Sequence, residues 1–372
     1  MTQVIITYNS SRYVFLFKRN LIRSLIKNGF SVTVVSPRDK YAERFHEIGV
    51  TYYPIAIDNS GLNPLKDLVL LINIFKAYKE INPDFNLIFG IKPNIYGTLV
   101  SHLLGIKTIN NITGLGTAFL KEGVIQSISK FLYKHSLKFS SRVLFQNSED
   151  KAFFVQQGLL DKNKATLIPG SGVDVDKFRP ISNVSKEGFI FLMIGRVLAN
   201  KGVYEYIEAA KLIKNQYTDV QFWLLGSCES DNRTSIDCNK VKAWELEGVI
   251  TYFNETDDVR KFIAKSDVVV LPSYREGMPR ALLEALSMER PIIGSNVPGC
   301  REIVNDGVNG YFCKVKDALD LSKQIEKMIL LDQVQRKMMG KNGRIEIIKN
   351  FDEEIVIKCY IQLLKSFADD DF

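Results

Sequence analysis

Arg196 and Lys201 lie five residues apart in Ile194-Gly195-Arg196-Val197-Leu198-Ala199-Asn200-Lys201-Gly202. The apolar run 189–194 before them reads as a strand, and a helical pattern starts near Tyr204. Gly195 and Gly202 let the backbone turn and come close to a ligand. A helix N-terminus favours an anion, and the two cations add donors for phosphate oxygens. The segment matches neither Gly-x-x-x-x-Gly-Lys-Ser/Thr nor Gly-x-Gly-x-x-Gly. It therefore predicts diphosphate contact of another kind; an ordinary exposed basic loop is the plain alternative.

A second segment, Pro272-Ser273-Tyr274-Arg275-Glu276-Gly277-Met278-Pro279-Arg280-Ala281-Leu282-Leu283-Glu284-Ala285, follows the apolar run 268–271. Pro279 suits the first turn of a helix. That places Glu276 in the loop and Glu284 about one and a half turns into the helix. Gly277, Met278 and Pro279 offer backbone to a ligand. Carboxylates accept hydrogen bonds from paired hydroxyls such as those of a sugar, although a single helical glutamate is more commonly a surface residue. A third strand-end segment, Asn296-Val297-Pro298-Gly299-Cys300-Arg301-Glu302-Ile303-Val304, reads as a strand-to-helix loop, either one wall of a pocket or a connector. Asp174-Val175-Asp176 has the form of an Asp-x-Asp metal motif, but it follows a Gly-rich turn and reads as linker, so no metal site is expected.

These loops need strands and helices to hold them. Apolar runs at 4–7, 32–35, 87–89 and 142–145 alternate with helical periodicity at 13–27, 65–79 and 124–138. The pattern restarts with strands at 189–194, 220–225, 249–253, 268–271 and 291–295, and helices at 204–214, 259–265 and 280–288. Alternation of this kind predicts an α/β chain with parallel sheets covered on both faces. Two doubly wound domains are expected, at 1–172 and 173–351, divided at Ile168-Pro169-Gly170-Ser171-Gly172-Val173-Asp174. Residues 352–372 read as a helix packing back on the first domain, then an acidic, frayed tail at Asp369, Asp370 and Asp371. Ligands of such sheets bind beyond the carboxyl ends of the strands, in a cleft between the domains.

The chain has 372 residues, 46% hydrophobic and 24% charged, proportions that exclude a disordered or fibrous protein. No apolar run is long enough to span a membrane; the best, 68–75, is broken by Asn73. The first residues lack the form of a secretory leader. Five scattered cysteines without Cys-x-x-Cys predict a reducing compartment, with neither a disulfide framework nor a zinc site. The net charge of +7 conceals a split: +10 for residues 1–172 and −3 for residues 173–372. No acid precedes Asp39, and between Glu122 and Glu149 the bases Lys130, Lys134, Lys138 and Arg142 are spaced by four, which predicts a basic helical stripe. An anionic partner fits the first half: a phospholipid surface, a phosphorylated substrate or nucleic acid. No nucleic-acid motif accompanies the charge, so nucleic acid is not the expected partner.

With Glu276 and Glu284 inside Pro-Ser-x-x-Glu-Gly-x-Pro-x-x-x-x-Glu-Ala, Gly195, Arg196, Lys201 and Gly202 inside Gly-Arg-x-x-x-x-Lys-Gly, and Gly172-Val173-Asp174 followed by Phe178-Arg179-Pro180, the chain resembles the family-4 glycosyltransferases of the GT-B fold. Within that family it is similar to bacterial enzymes that extend undecaprenyl-diphosphate-linked sugars in O-antigen, capsule or N-glycan assembly. The resemblance implies two Rossmann-like domains and a retaining transfer of a hexose or N-acetylhexosamine from a UDP-sugar, with no metal or other cofactor. Arg196 and Lys201 would neutralise the donor diphosphate and Glu284 would hold the ribose. Glu276 would lie near the donor sugar, which the amides around Gly277 and Met278 would position. The implied partners are the UDP-sugar, a lipid-linked saccharide and an anionic membrane surface. The implied location is cytoplasmic, peripheral on the inner face of the membrane. The family's usual Gly-Gly after the first strand is replaced by Ser10-Ser11-Arg12, and its His-Gly by Thr113-Gly114. These five residues, with Lys92 and Asn94, are the acceptor or cleft candidates. A nucleotide-sugar 2-epimerase or a hydrolase on the same scaffold is the alternative.

Overall fold

The computed structural model of the chain describes residues 1–57, 63–116, 119, 123–182, 185–229, 232 and 234–369, the side chain of Asp369 excepted. The expected tail residues Asp370 and Asp371 lie outside them. The chain divides into two compact units, Met1–Ser171 with Ile355–Phe372, and Gly172–Glu354.

The first unit contains β1 (Gln3–Tyr8), α1 (Ser11–Phe17), α2 (Arg19–Lys27), β2 (Ser31–Ser36), β3 (Thr51–Pro54), α3 (Pro64–Ile81), β4 (Phe85–Phe89), α4 (Thr98–Leu103), β5 (Lys107–Ile112), α5 (Val124–Leu137), β6 (Arg142–Phe145), α6 (Ser148–Gln156) and β7 (Ala165–Leu167). Its seven strands lie in the order β3-β2-β1-β4-β5-β6-β7, and every pair is parallel. Successive side chains of a strand point to opposite faces. Val4 and Ile6 accordingly pack with α1 and α2, whereas Ile5 packs with Leu70, Ile74 and Tyr78 of α3 and Tyr133 of α5.

The second unit contains β8 (Phe189–Ile194), α7 (Val203–Lys214), β9 (Val220–Leu225), α8 (Cys238–Leu246), β10 (Thr251–Phe253), α9 (Arg260–Lys265), β11 (Val268–Leu271), α10 (Arg280–Ser287), β12 (Ile292–Ser295), β13 (Gly310–Cys313), α11 (Ala318–Leu330) and α12 (Gln333–Asn350). Its six strands are ordered β10-β9-β8-β11-β12-β13, again all parallel. The last helix, α13 (Glu353–Asp369), buries Val356, Ile357, Tyr360 and Leu364 in the first unit's core. Lys107 Nζ there donates to Phe367 O at 2.7 Å, and Tyr360 Oη donates to Asn111 Oδ1.

Local chemistry sets the element ends. Asn63 caps α3, its side chain accepting from Leu65 and Lys66 N–H, with Pro64 first in the helix. Asp332 and Gln335 form a reciprocal capping box on α12.

Several sequence expectations need correction. The single helix expected over 13–27 is two helices, divided at Lys18, whose φ of −120° and ψ of 5° leave the helical region. Ser10-Ser11-Arg12 is not a free loop: Ser10 caps α1, and Ser11 and Arg12 form its first turn. Pro279 is one position earlier than expected, as the cap residue of α10. The segment 296–304 leads into turns, not a helix. The basic stripe is shorter than four residues: α5 holds Lys130 and Lys134, Lys138 caps its end, and Arg142 begins β6 with its guanidinium bonded to Asn163 O at 2.7 Å. Cys228 and Cys238 form a disulfide, against the expectation from cysteine spacing, because the chain returns to the end of β9 as α8 begins. Among the described residues no helix is long and apolar enough to cross a membrane.

Candidate functional site

In the second sheet the strand order reverses between β8 and β11. β8, β9 and β10 run outward in one direction, and β11, β12 and β13 in the other. At such a reversal the loops after the two central strands diverge and leave room for a ligand. The loop after β8 carries Gly195, Arg196 and Lys201; the loop after β11 carries Glu276, Gly277, Met278 and Pro279. The two sequence motifs are therefore neighbours at one end of one sheet.

Backbone contacts join these loops. Tyr274 N–H donates to Asn200 O at 2.9 Å. Gly202 has φ +78°, and a Cβ there would collide with the Pro272 carbonyl. Glycine is required on both counts. Gly299 backs the second loop in the same way, at φ +80° with no room for a Cβ against the Gly277 carbonyl. The third strand-end segment thus supports the Glu276 loop from behind. The Tyr274 hydroxyl, held at 2.7 Å by Glu205 at the start of α7, is a further brace.

Lys201 Nζ lies 2.5 Å from Glu276 Oε1, with side-chain exposures of 21% and 11%. The ion pair is largely sheltered, so it is screened less than a surface pair. An ammonium has three donors; among the described residues Glu276 takes one and no other partner is seen, a set that could serve an anion. Arg196 is exposed at the mouth of the loop. Gly195 is half-buried, while Gly277, Met278 and Pro279 are buried with their backbone beside Glu276.

Glu284, fifth residue of α10, is buried, unlike an ordinary helical glutamate. Arg280 Nε and Nη2 both donate to its Oε1, at 3.2 and 3.1 Å, and Arg280 Nη1 donates to Gly172 O at 3.3 Å. Among the described residues Oε2 accepts no hydrogen bond and stays available to a hydroxyl. Burial pushes the Glu284 carboxyl above its ordinary range, and the Arg280 charge opposes that rise. Sequence reasoning missed Arg280 as Glu284's partner, although a spacing of four on one helix was the available signal.

The first sheet reverses between β1 and β4, and its candidates lie at that end. Ser10 Oγ accepts from Tyr13 N–H at 3.3 Å. Ser11, buried, meets Ser36 Oγ at 2.7 Å. Arg12 N–H donates to Asp39 Oδ2 at 3.1 Å, and its guanidinium lies 5.8 Å from the Tyr41 ring centroid. Lys92 pairs with Asp67 at 2.8 Å, and Asp67 also accepts from Tyr96 Oη at 2.8 Å. Asp67 escaped the sequence reading because it lies 25 residues from Lys92. Asn94 is buried; its amide donates to Asn111 O and accepts from Asn110, which makes it part of the domain's interior. Thr113 and Gly114 follow β5 and are half-buried. A cavity of about 940 Å³ opens beside this end, lined by Pro37, Arg38, Ile55, Leu65, Asp67 and Lys92 among others. It belongs to the first unit and is remote in sequence from the paired motifs of the second. Asp174, of the Asp-x-Asp segment, accepts from the amides of Asp176 and Lys177 and so closes a local turn.

The chain is similar to known glycosyltransferases in sequence and fold. Residues 174–346 match the family description "Glycosyl transferases group 1", and residues 5–147 match "Glycosyl transferase 4-like". A relative from Campylobacter jejuni, named N,N'-diacetylbacillosaminyl-diphospho-undecaprenol alpha-1,3-N-acetylgalactosaminyltransferase, is 29% identical over 94% of this chain and 95% of its own. An Escherichia coli relative, named UDP-Gal:alpha-D-GlcNAc-diphosphoundecaprenol alpha-1,3-galactosyltransferase, is 28% identical over 78% of each chain. The crystal structure of Anabaena Alr3699/HepE in complex with UDP and glucose has a TM-score of 0.79 at 16% identity, covering 98% of this chain and all of that one. The epimerase and hydrolase alternatives gain no support from these matches. With two parallel-sheet domains of the GT-B fold and both halves matched by glycosyltransferase descriptions, the chain belongs to the group 1, family-4 glycosyltransferases.

Proposed function

We propose that this enzyme moves a hexose or N-acetylhexosamine from a UDP-sugar to an undecaprenyl-diphosphate-linked saccharide, with retention of anomeric configuration and without a metal, in bacterial surface-glycan synthesis. The observation that carries the reading is the meeting of Lys201, Glu276 and the loop of Arg196 at the β8–β11 reversal. In sugar transfer the hard step is departure of an anionic diphosphate from an oxocarbenium-like sugar. Fixed cations at the leaving group stabilise that developing charge. Lys201 and Arg196 fill this role, Glu276 and the amides of Gly277 and Met278 position the sugar, and Glu284 Oε2 accepts from the ribose. The names of the two relatives support a diphosphoundecaprenol-linked acceptor.

The first unit supplies features that suit such an acceptor. The cavity beside Lys92 combines apolar walls with Arg38 and Lys66, a match for a prenyl diphosphate. The helix α3 leaves Leu65, Leu68, Val69, Ile72 and Phe75 exposed at a spacing of three and four, and α5 leaves Val124, Ile128 and Phe131 exposed beside Lys130 and Lys134. Apolar side chains set among bases are the composition of a surface that rests on an anionic bilayer. We therefore read the protein as peripheral on the inner face of the cytoplasmic membrane.

The test is a panel of UDP-sugars offered with undecaprenyl-diphosphate-linked acceptors. One donor is expected to yield a product heavier by one sugar, with the donor's anomeric configuration by NMR, and without acceptor the donor is expected to stay intact. Donor conversion in the absence of acceptor would return the epimerase or hydrolase reading.

A further inference from the structure

The Arg196–Lys201 loop has turns of its own, Leu198 N–H to Arg196 O at 2.8 Å and Lys201 N–H to Leu198 O at 3.0 Å, but it is also held from outside. Val197 N–H donates to Ser227 O at 2.9 Å, Ala199 N–H to Thr234 O at 2.7 Å, and Ile236 N–H returns to Val197 O at 3.2 Å. Leu198 and Ser235 form an antiparallel bridge. Thr234 Oγ1 adds a bond to Asn200 Oδ1 at 2.9 Å. Every described residue from 197 to 200 thus takes a partner from the segment between β9 and α8.

That supporting segment is stapled. Cys228, just after β9, and Cys238, first residue of α8, are ten residues apart and disulfide-bonded, with Cα atoms 5.3 Å apart. The contacts to the loop, at Thr234, Ser235 and Ile236, fall inside the closed ring. Both cysteines are half-buried, so a small thiol can reach them, whereas Cys300 and Cys313 are buried. Burial pushes the thiols of Cys300, Cys313 and Cys359 up, which makes them poor competitors for exchange.

We propose that Cys228 and Cys238 form a redox modification site whose opening and closing sets how firmly the Arg196–Lys201 loop is held for a nucleoside diphosphate. The inference deepens the donor-site reading above and rests on it. Closure uses a low-molecular-weight disulfide as oxidant. One cysteine thiolate attacks a sulfur of that disulfide and releases one small thiolate. The second cysteine attacks the mixed disulfide and releases the other. The two protein thiols lose two electrons and two protons, and the oxidant becomes two thiols. A dithiol reverses both steps. Opening restores freedom to a closed ring of backbone and loosens what the ring supports.

The full chain is oxidised with glutathione disulfide or reduced with dithiothreitol, and the thiols are counted by alkylation and mass. Amide hydrogen exchange at residues 197–200 and UDP affinity are then measured. Reduction is expected to speed exchange at those amides by about tenfold and to weaken UDP binding several-fold, and re-oxidation is expected to reverse both. The double variant Cys228→Ser, Cys238→Ser is expected to match the reduced enzyme and to ignore both reagents. Equal exchange in the two states, or failure of glutathione disulfide to close the pair, overturns the inference. If exchange responds while UDP binds neither state, the redox link stands and the donor reading falls.

Discussion

Both sheets reverse their strand order near the middle, β1 beside β4 in the first unit and β8 beside β11 in the second. The side chains delivered to those two places differ in kind. At β1–β4 they turn inward: Ser10 caps a helix, Ser11 meets Ser36, Asn94 is buried among Asn110 and Asn111, and Lys92 is neutralised by Asp67. At β8–β11 they keep polar groups open: Arg196 is exposed, and among the described residues the Lys201 ammonium bonds Glu276 alone and Glu284 leaves one carboxylate oxygen without a hydrogen bond. A strand reversal supplies a place for binding; the residues that stand there decide whether it keeps charged groups open, as at β8–β11, or braces them against the domain beside a cavity, as at β1–β4.

Substitutions test that contrast. The largest effect belongs to the second reversal. Glu276→Ala and Arg196→Ala are each expected to cut turnover by about 10²–10³-fold or more, the scale for losing a group that stabilises transition-state charge. Circular dichroism should be unchanged, and near-normal turnover in either variant would move the chemistry elsewhere. The first reversal should answer in stability instead. Lys92→Ala leaves Asp67 with a sheltered charge and is expected to lower stability in urea by about 2–3 kcal/mol, with UDP affinity unaltered. Loss of UDP affinity without loss of stability would erase the distinction between the two ends.

The smallest effect concerns pH. Burial raises the Glu284 carboxyl above its ordinary 4.5, Arg280 and Lys177 oppose the shift, and Asp258 adds to it. In the folded protein Glu284 therefore holds its proton where the unfolded chain has lost it. Its contribution to stability is full below the unfolded value and is lost as pH rises through the folded one. Glu284→Gln should flatten the fall of stability with pH that begins above 4.5. An unchanged slope would show that Arg280 compensates burial completely.

The donor-side candidates were legible because each lies in a short contiguous pattern bounded by a strand and a helix. Gly195, Arg196 and Lys201 needed seven residues of context, and Glu276 and Glu284 one helix entry. The pairing of Lys201 with Glu276 was not legible, since 75 residues separate them and only the adjacency of β8 and β11 joins them. Nor was the pairing of Lys92 with Asp67, 25 residues apart, or of Cys228 with Cys238, ten apart, since each depends on where the chain folds back. Along α3 the apolar residues lie on more than one side; sequence alone does not say that Leu70, Ile74 and Tyr78 are buried while Leu68, Ile72 and Phe75 are exposed. The break at Lys18 was equally hidden, because apolar periodicity continues across it.

Local order determined what could be read directly: continuously apolar strands alternating with amphipathic helices dictate parallel sheets, Pro and Gly mark the junction near 172, and charge divides the chain into a +10 half and a −3 half. Those properties follow from side-chain period and backbone freedom within a few residues. Tertiary structure alone decided which charges neutralise each other, which glutamate is buried, and which segment holds the Arg196–Lys201 loop. Each of these depends on which strands become neighbours, and strand order arises from packing the whole sheet rather than from any stretch of it.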